Sequence, residues 1–96
     1  YSEMRGAELM LQKALSLYEE GGNPGEEANL AKMQSADASW SAAEACIQTF
    51  GGFGFAREYD VERKYREARL YQVAPISTNL ILSYVGEHVL KMPRSY

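Results

Sequence analysis

The sequence predicts an all-α protein, a partial up-down four-helix bundle whose first helix is missing. Three observations predict it. Apolar residues recur at three- and four-residue steps over most of the chain, no stretch alternates with period two, and Gly, Pro and Asn gather at a few points that cut the chain into helical lengths. Ninety-six residues make one domain, 1–96, and an up-down bundle normally needs four comparable helices to close its core. Three long patterns and a short one leave an apolar groove, which either an upstream helix or a second copy of the chain should fill.

The first helix runs from Ser2 to Glu20, where Met4, Ala7, Met10, Leu11, Ala14, Leu15 and Tyr18 form one stripe. It stops in "EEGGNPGEE", with Gly21 as a left-handed cap, Asn23 as the next N-cap, Pro24 as N1 and Glu26 as N3. A second helix follows over 24–50, with no Gly or Pro after Gly25. It carries Ala28, Ala31, Ala36, Ala43, Cys46, Ile47 and Phe50 near one side, with Trp40 filling a larger gap or meeting a subunit. Cys46, the sole cysteine, is expected as a small buried side chain.

"QTFGGFGF", 48–55, interrupts the pattern with three glycines. It is open to two readings, a turn or a cradle where a ligand approaches the main chain. "EYDVERKYREARLYQV" then forms a short charged helix with Asp60 as N-cap and a row of Arg63, Arg66 and Arg69 on a solvated or salt-bridged face. Pro75 removes a donor and disfavours a helical Ala74, so a break is expected at "VAPIST". The last helix spans Ser77 to about Leu90, with Leu80, Ile81, Tyr84, Val85, His88 and Val89 on one face.

The net charge of −3, with 24% charged residues, gives neither the field of a nucleic-acid binder nor the bias of a disordered tail. No apolar run approaches the roughly 20 residues that span a bilayer, and a soluble, cytoplasmic protein (mitochondrial matrix if eukaryotic) is expected. The opening "YSEMRGAELMLQKAL" enters a helical pattern at once without an initiator methionine, as a C-terminal piece of a longer protein would. The acids Glu19, Glu20, Glu26 and Glu27 suit the helix ends around their turn better than a metal. His88 is expected to be packed or interfacial rather than catalytic, and no Ser-His-Asp or Cys-His arrangement is legible.

Taken in order, Gln48-Thr49-Phe50-Gly51-Gly52-Phe53-Gly54, Glu58-Tyr59-Asp60-Val61-Glu62-Arg63, Arg66-Glu67-Ala68-Arg69 and Gln72 resemble the C-terminal helical domain of the acyl-CoA dehydrogenase family. The match covers most of the chain, with the first helix agreeing only in pattern. It implies a larger flavoenzyme, dimeric or tetrameric around FAD, in which 1–96 forms most of the final four-helix bundle. It also implies α,β-dehydrogenation of an acyl-CoA thioester, an oxidoreductase reaction of fatty acid metabolism, with electrons passing to an electron-transfer flavoprotein.

By position, the resemblance makes Gln48, Gly51 and Gly52 contacts to the ADP portion of FAD, with Gly54 shaping the turn. At the break before the last helix, where many members read Tyr-Glu-Gly-Thr-Ser-Gln, this chain has Ala74, Pro75, Ile76, Ser77, Thr78 and Asn79. Ser77 and Asn79 thereby become candidate flavin contacts, or helix caps. The usual catalytic glutamate slot is Pro75, which cannot be a base, so no catalytic residue and no metal ligand is expected here. Some branches carry the glutamate on the bundle's first helix instead. A non-dehydrogenating flavoprotein relative and a stand-alone helical interaction module are the rival expectations.

Overall fold

The computed structural model describes residues 1–94, and among them every regular element is helical. Helix α1 (Ser2–Glu19) and helix α2 (Gly25–Phe50) pack as a hairpin. Two short 3-10 turns, Gly51–Phe55 and Arg57–Tyr59, lead to α3 (Val61–Val73), which returns along α2. Helix α4 (Thr78–Tyr84) then widens into a π-helical turn over Val85–Val89.

The α1–α2 turn is set by its glycines. Gly21 takes φ 76°, its N–H donates to Tyr18 O at 3.1 Å, and the N–H of Gly22 donates to Leu17 O at 2.8 Å. This pair of bonds is the Schellman arrangement, and it satisfies carbonyls that α1 would otherwise leave bare. Asn23, expected as the N-cap, stands one residue before that position, which Pro24 takes without a side-chain cap bond; its Oδ1 accepts from Gly25 N at 3.0 Å. Pro24, expected inside the helix, stands just before it instead, a one-residue shift of the kind that frayed ends produce. Lys13 of α1 pairs with Glu27 of α2 at 3.3 Å.

Asp60 also differs from expectation. It occupies the N-cap position of α3, but its backbone is left-handed (φ 57°) and its side chain makes no cap bond. Its carboxylate instead accepts from Arg63 Nε at 3.1 Å. Two of the three arginines of the row are ion-paired, Arg63 to Asp60 and Glu67, and Arg66 to Glu62, while Arg69 bonds Gln72 instead. Arg63 beside Asp60, and Lys64 and Arg63 beside Glu67, hold both carboxyls below their ordinary values.

The core is thin. Its buried apolar residues are Ala7, Ala14, Ala31, Ala36, Ala68 and Ile81, five of them alanines. Ile81 is the one large side chain with no exposed surface among the described residues. Helices therefore approach closely but enclose little, and the molecule is a slab of 46 × 34 × 20 Å with a radius of gyration of 16.1 Å. A compact 96-residue domain would have about 12.5 Å. The accessible surface of 7075 Å² likewise exceeds the roughly 5,500 Å² expected of a compact monomer of this mass.

Two apolar troughs form part of this open surface. Met4 and Leu11 of α1 flank Ser35, Ala38, Ser39 and Ala42 of α2. The same Ser39 and Ala42 continue, with Ala43 and Cys46, into a second trough against α3. This corrects the expectation of a buried Cys46: it is exposed, because the trough it lines between α2 and α3 is left open. The last helix is corrected as well. It leaves the α form after Tyr84, with Leu90 N bonding Val85 O at 2.9 Å, and Gly86 lies in the widened turn where helix propensity is weakest. Only Ile81 of its expected face is buried, and Leu80 is 61% exposed.

Candidate functional site

The glycine stretch divides sharply in the structure. Gly51 takes φ 55°, ψ −133°, while its N–H still donates to Ile47 O. A side chain built at Gly51 or Gly52 would meet nothing within 4 Å. At Gly54 a Cβ would lie 3.2 Å from Ile47 O, 3.3 Å from Ile47 Cα and 3.4 Å from Phe50 Cβ. Gly54 is therefore a packing glycine that lets the 3-10 turn fold back on the end of α2. Gly51 and Gly52 present bare main chain to the outside, and Gln48 is exposed one turn earlier on α2.

Aromatic rings surround this surface. Tyr59 receives Phe50 at 5.9 Å and Phe53 at 5.6 Å between ring centroids, and Phe53 and Phe55 are 66% and 74% exposed. Such a concentration of exposed rings marks a surface that something covers.

The second expected group lies elsewhere. The connector between α3 and α4 has Ala74 extended (φ −143°, ψ 153°) before Pro75, as the proline requires of its predecessor. Ser77 is the N-cap of α4, its hydroxyl accepting from Leu80 N at 3.3 Å. Asn79 is exposed. Together with Thr78, Gln72, Arg69 and Asp37 they line a shallow polar depression. Gln48 lies eleven positions beyond Asp37 on α2, about 17 Å along the helix axis. The candidate residues thus form two patches rather than one pocket.

Sequence reasoning missed the residues of α2 that build the second patch. Asp37 Oδ1 accepts from Gln72 Nε2 at 2.9 Å, and Gln72 Oε1 accepts in turn from Arg69 Nη1. Arg69 lies over the Trp40 ring, 5.3 Å from its centroid, and Trp40 packs on Tyr65 at 4.5 Å. Lys32 reaches the connector from α2, donating to Tyr71 O and, at 2.6 Å, to Ile76 O. No local signal marks these partners, because each lies tens of residues away. Tyr84 and His88, expected on one face, do stack at 4.9 Å.

Among the described residues no group of three or more His, Cys, Asp or Glu side chains could hold a metal ion. No described helix is long and apolar enough to cross a membrane.

Residues 1–90 match the family profile described as "Acyl-CoA dehydrogenase, C-terminal domain". Acyl-CoA dehydrogenase FadE12 of Mycobacterium tuberculosis is 43% identical over 96 residues, 98% of this chain and 25% of that protein. Cyclohexane-1-carbonyl-CoA dehydrogenase of Geobacter metallireducens is 28% identical over 90 residues, 94% of this chain and 24% of that protein. The CarC subunit of the caffeyl-CoA reductase–Etf complex of Acetobacterium woodii is 31% identical over 72 residues, 75% of this chain and 19% of that protein. The chain spans about a quarter or less of the length of these relatives. No solved structure matches it at a comparable level. On the profile match over nearly its whole length, the chain belongs to the acyl-CoA dehydrogenase family and carries that family's C-terminal domain.

Proposed function

We propose that this chain is the C-terminal part of an FAD-dependent acyl-CoA dehydrogenase, where it completes the flavin site and builds the subunit interface. The observation that carries the reading is the bare main chain of Gly51 and Gly52 beside an exposed Gln48, on a chain of this family. A dinucleotide needs close approach to backbone N–H groups and a few oriented donors, and this surface fits that need. Gln48 would donate or accept through its amide, while the two glycines let the ADP portion lie against the turn.

Ser77 and Asn79 belong to the other patch and would address a different part of the extended cofactor. The hydroxyl of Ser77 accepts the α4 cap bond, which leaves its own proton free to donate. When bound, FAD supplies the capacity to take two electrons from the Cα–Cβ bond of an acyl thioester. The proton removed from Cα needs a base, and the connector offers none: Pro75 has no titratable group, and Asp37 beside it is engaged by Gln72. The base is therefore proposed to lie outside this chain. An electron-transfer flavoprotein is the proposed acceptor, in keeping with the Etf complex of the CarC relative.

The flavin reading is tested by titrating FAD into the full-length apoprotein. Gln48→Ala is expected to weaken binding about tenfold, as the loss of a well-oriented hydrogen bond does. Unchanged affinity would remove Gln48 from the site, and a parent that binds no flavin at all would favour a non-catalytic helical module.

The assembly is the second part of the proposal. The troughs floored by Ser39, Ala42, Ala43 and Cys46, and the aromatic patch at Phe53 and Phe55, leave apolar side chains open to solvent where a further helix or subunit would cover them. Light scattering on the full-length protein is expected to give a dimer or tetramer at micromolar concentration. A stable monomer throughout would contradict it.

A further inference from the structure

Helix α3 ends at Val73, so the carbonyls of its last turn lack intrahelical donors. Leu70 O is taken by Ala74 N at 2.9 Å. Tyr71 O would next take the N–H of residue 75, but that residue is Pro75, which has none. The donor comes instead from α2: Lys32 Nζ donates to Tyr71 O and, at 2.6 Å, to Ile76 O. Gln72 O accepts from Thr78 Oγ1 at 3.4 Å, which brings the start of α4 against the same helix end.

We infer that Lys32 is the positioning residue of the connector 74–79, and through it of Ser77 and Asn79. One ammonium closes the end of α3 where Pro75 cannot, and holds the carbonyl immediately before the Ser77 cap. Both bonds are charge-assisted and reach 39 and 44 residues along the sequence. The cation also sits at the negative end of the α3 dipole. The Asp37–Gln72 bond is a second tie from α2 to the same helix end, but it acts before the connector begins. Lys32 alone among the side chains of α2 bonds a residue between Pro75 and Ser77 in the described structure. The consequence for flavin binding rests on the cofactor reading of Ser77 and Asn79 given above.

The test uses the full-length protein with Lys32→Met, Lys32→Arg, Asn79→Ala and the double variant Lys32→Met/Asn79→Ala. Amide exchange of 74–79, followed by mass spectrometry, is expected to quicken about tenfold in Lys32→Met. Lys32→Arg, which keeps the charge and the donors, is expected to restore most of the protection. In FAD titrations Lys32→Met should weaken binding about tenfold, and the double variant should bind no worse than the weaker single one, because both lose the same contact. Unchanged exchange in Lys32→Met would overturn the inference. So would losses in FAD affinity that add fully in the double variant, since Lys32 would then act independently of Asn79. If exchange quickens but Asn79→Ala and Ser77→Ala both leave FAD affinity unchanged, the cofactor reading of the connector fails, and the flavin role of Lys32 fails with it.

Discussion

Replacing Ile81 by alanine is expected to destabilise the chain by about 2–5 kcal/mol, the range for truncating a buried isoleucine. The upper part of that range is expected, because the rest of the buried apolar core consists of five alanines that cannot collapse far into a new cavity. Ile81 is also the only fully buried residue of α4. Its loss should release α4 and the π-helical turn after it before the α1–α2 hairpin opens. Urea denaturation read by circular dichroism, with hydrogen exchange to locate the change, checks this. A cost under 1 kcal/mol would mean that α4 is held mainly by its connector. The half-exposed Val85 and Val89 should be far more tolerant.

The second large effect is expected at the glycine turn, where the three positions should give three different results. Gly51→Ala forces a side chain into φ 55°, ψ −133°, which is strained for any L residue and costs about 1–3 kcal/mol. Gly54→Val crowds Ile47 and Phe50 and should cost a similar amount by overpacking. Gly52→Val meets open space and should leave stability within about 0.5 kcal/mol. If the ligand lies against the turn, Gly52→Val should nonetheless weaken FAD binding by a factor of ten or more, because its side chain occupies the approach. Thermal unfolding and FAD titration on the same three variants separate folding from binding. Were Gly52→Val to bind FAD normally, the turn would be purely structural.

The parts of this fold that were legible in the sequence are those decided locally. Gly21 and Pro75 end helices through their own backbone chemistry, and the structure bears them out at those places, whereas the start of the second helix falls at Pro24 rather than Asn23. The failures lie where a neighbour decides. Cys46 has an apolar setting in sequence and an exposed one in space, since the trough that it lines between α2 and α3 is left uncovered. Leu80 follows the helical period of the last segment but points away from Ile81's neighbours. Asp60 has the residue type of a cap, yet its left-handed backbone turns the carboxylate toward Arg63. The stretch over 48–55 reads as a turn or a cradle, but the two 3-10 turns over 51–59 are not legible in it, because glycine spacing announces a turn without specifying its winding.

The site was legible to a different degree. The motif order indicated the family and the two patches, but not their separation along α2. Lys32 and Asp37 carried no signal at all: each acts on a segment 35 to 44 residues distant, and on a helix face an isolated charge usually meets solvent. Their partners are the ends of α3 and the connector, so the residues that fix the candidate flavin contacts come from the helix that sequence reading assigned to packing.

The central claim is that this chain forms one wall of a flavin site in an acyl-CoA dehydrogenase. Its most direct measurement is the visible absorption spectrum of the purified full-length protein, with flavin quantified per chain, before and after anaerobic addition of acyl-CoA thioesters. The predicted result is one FAD per chain and bleaching of the flavin band by a thioester substrate. A full-length protein that carries no flavin and takes up none on titration would contradict it.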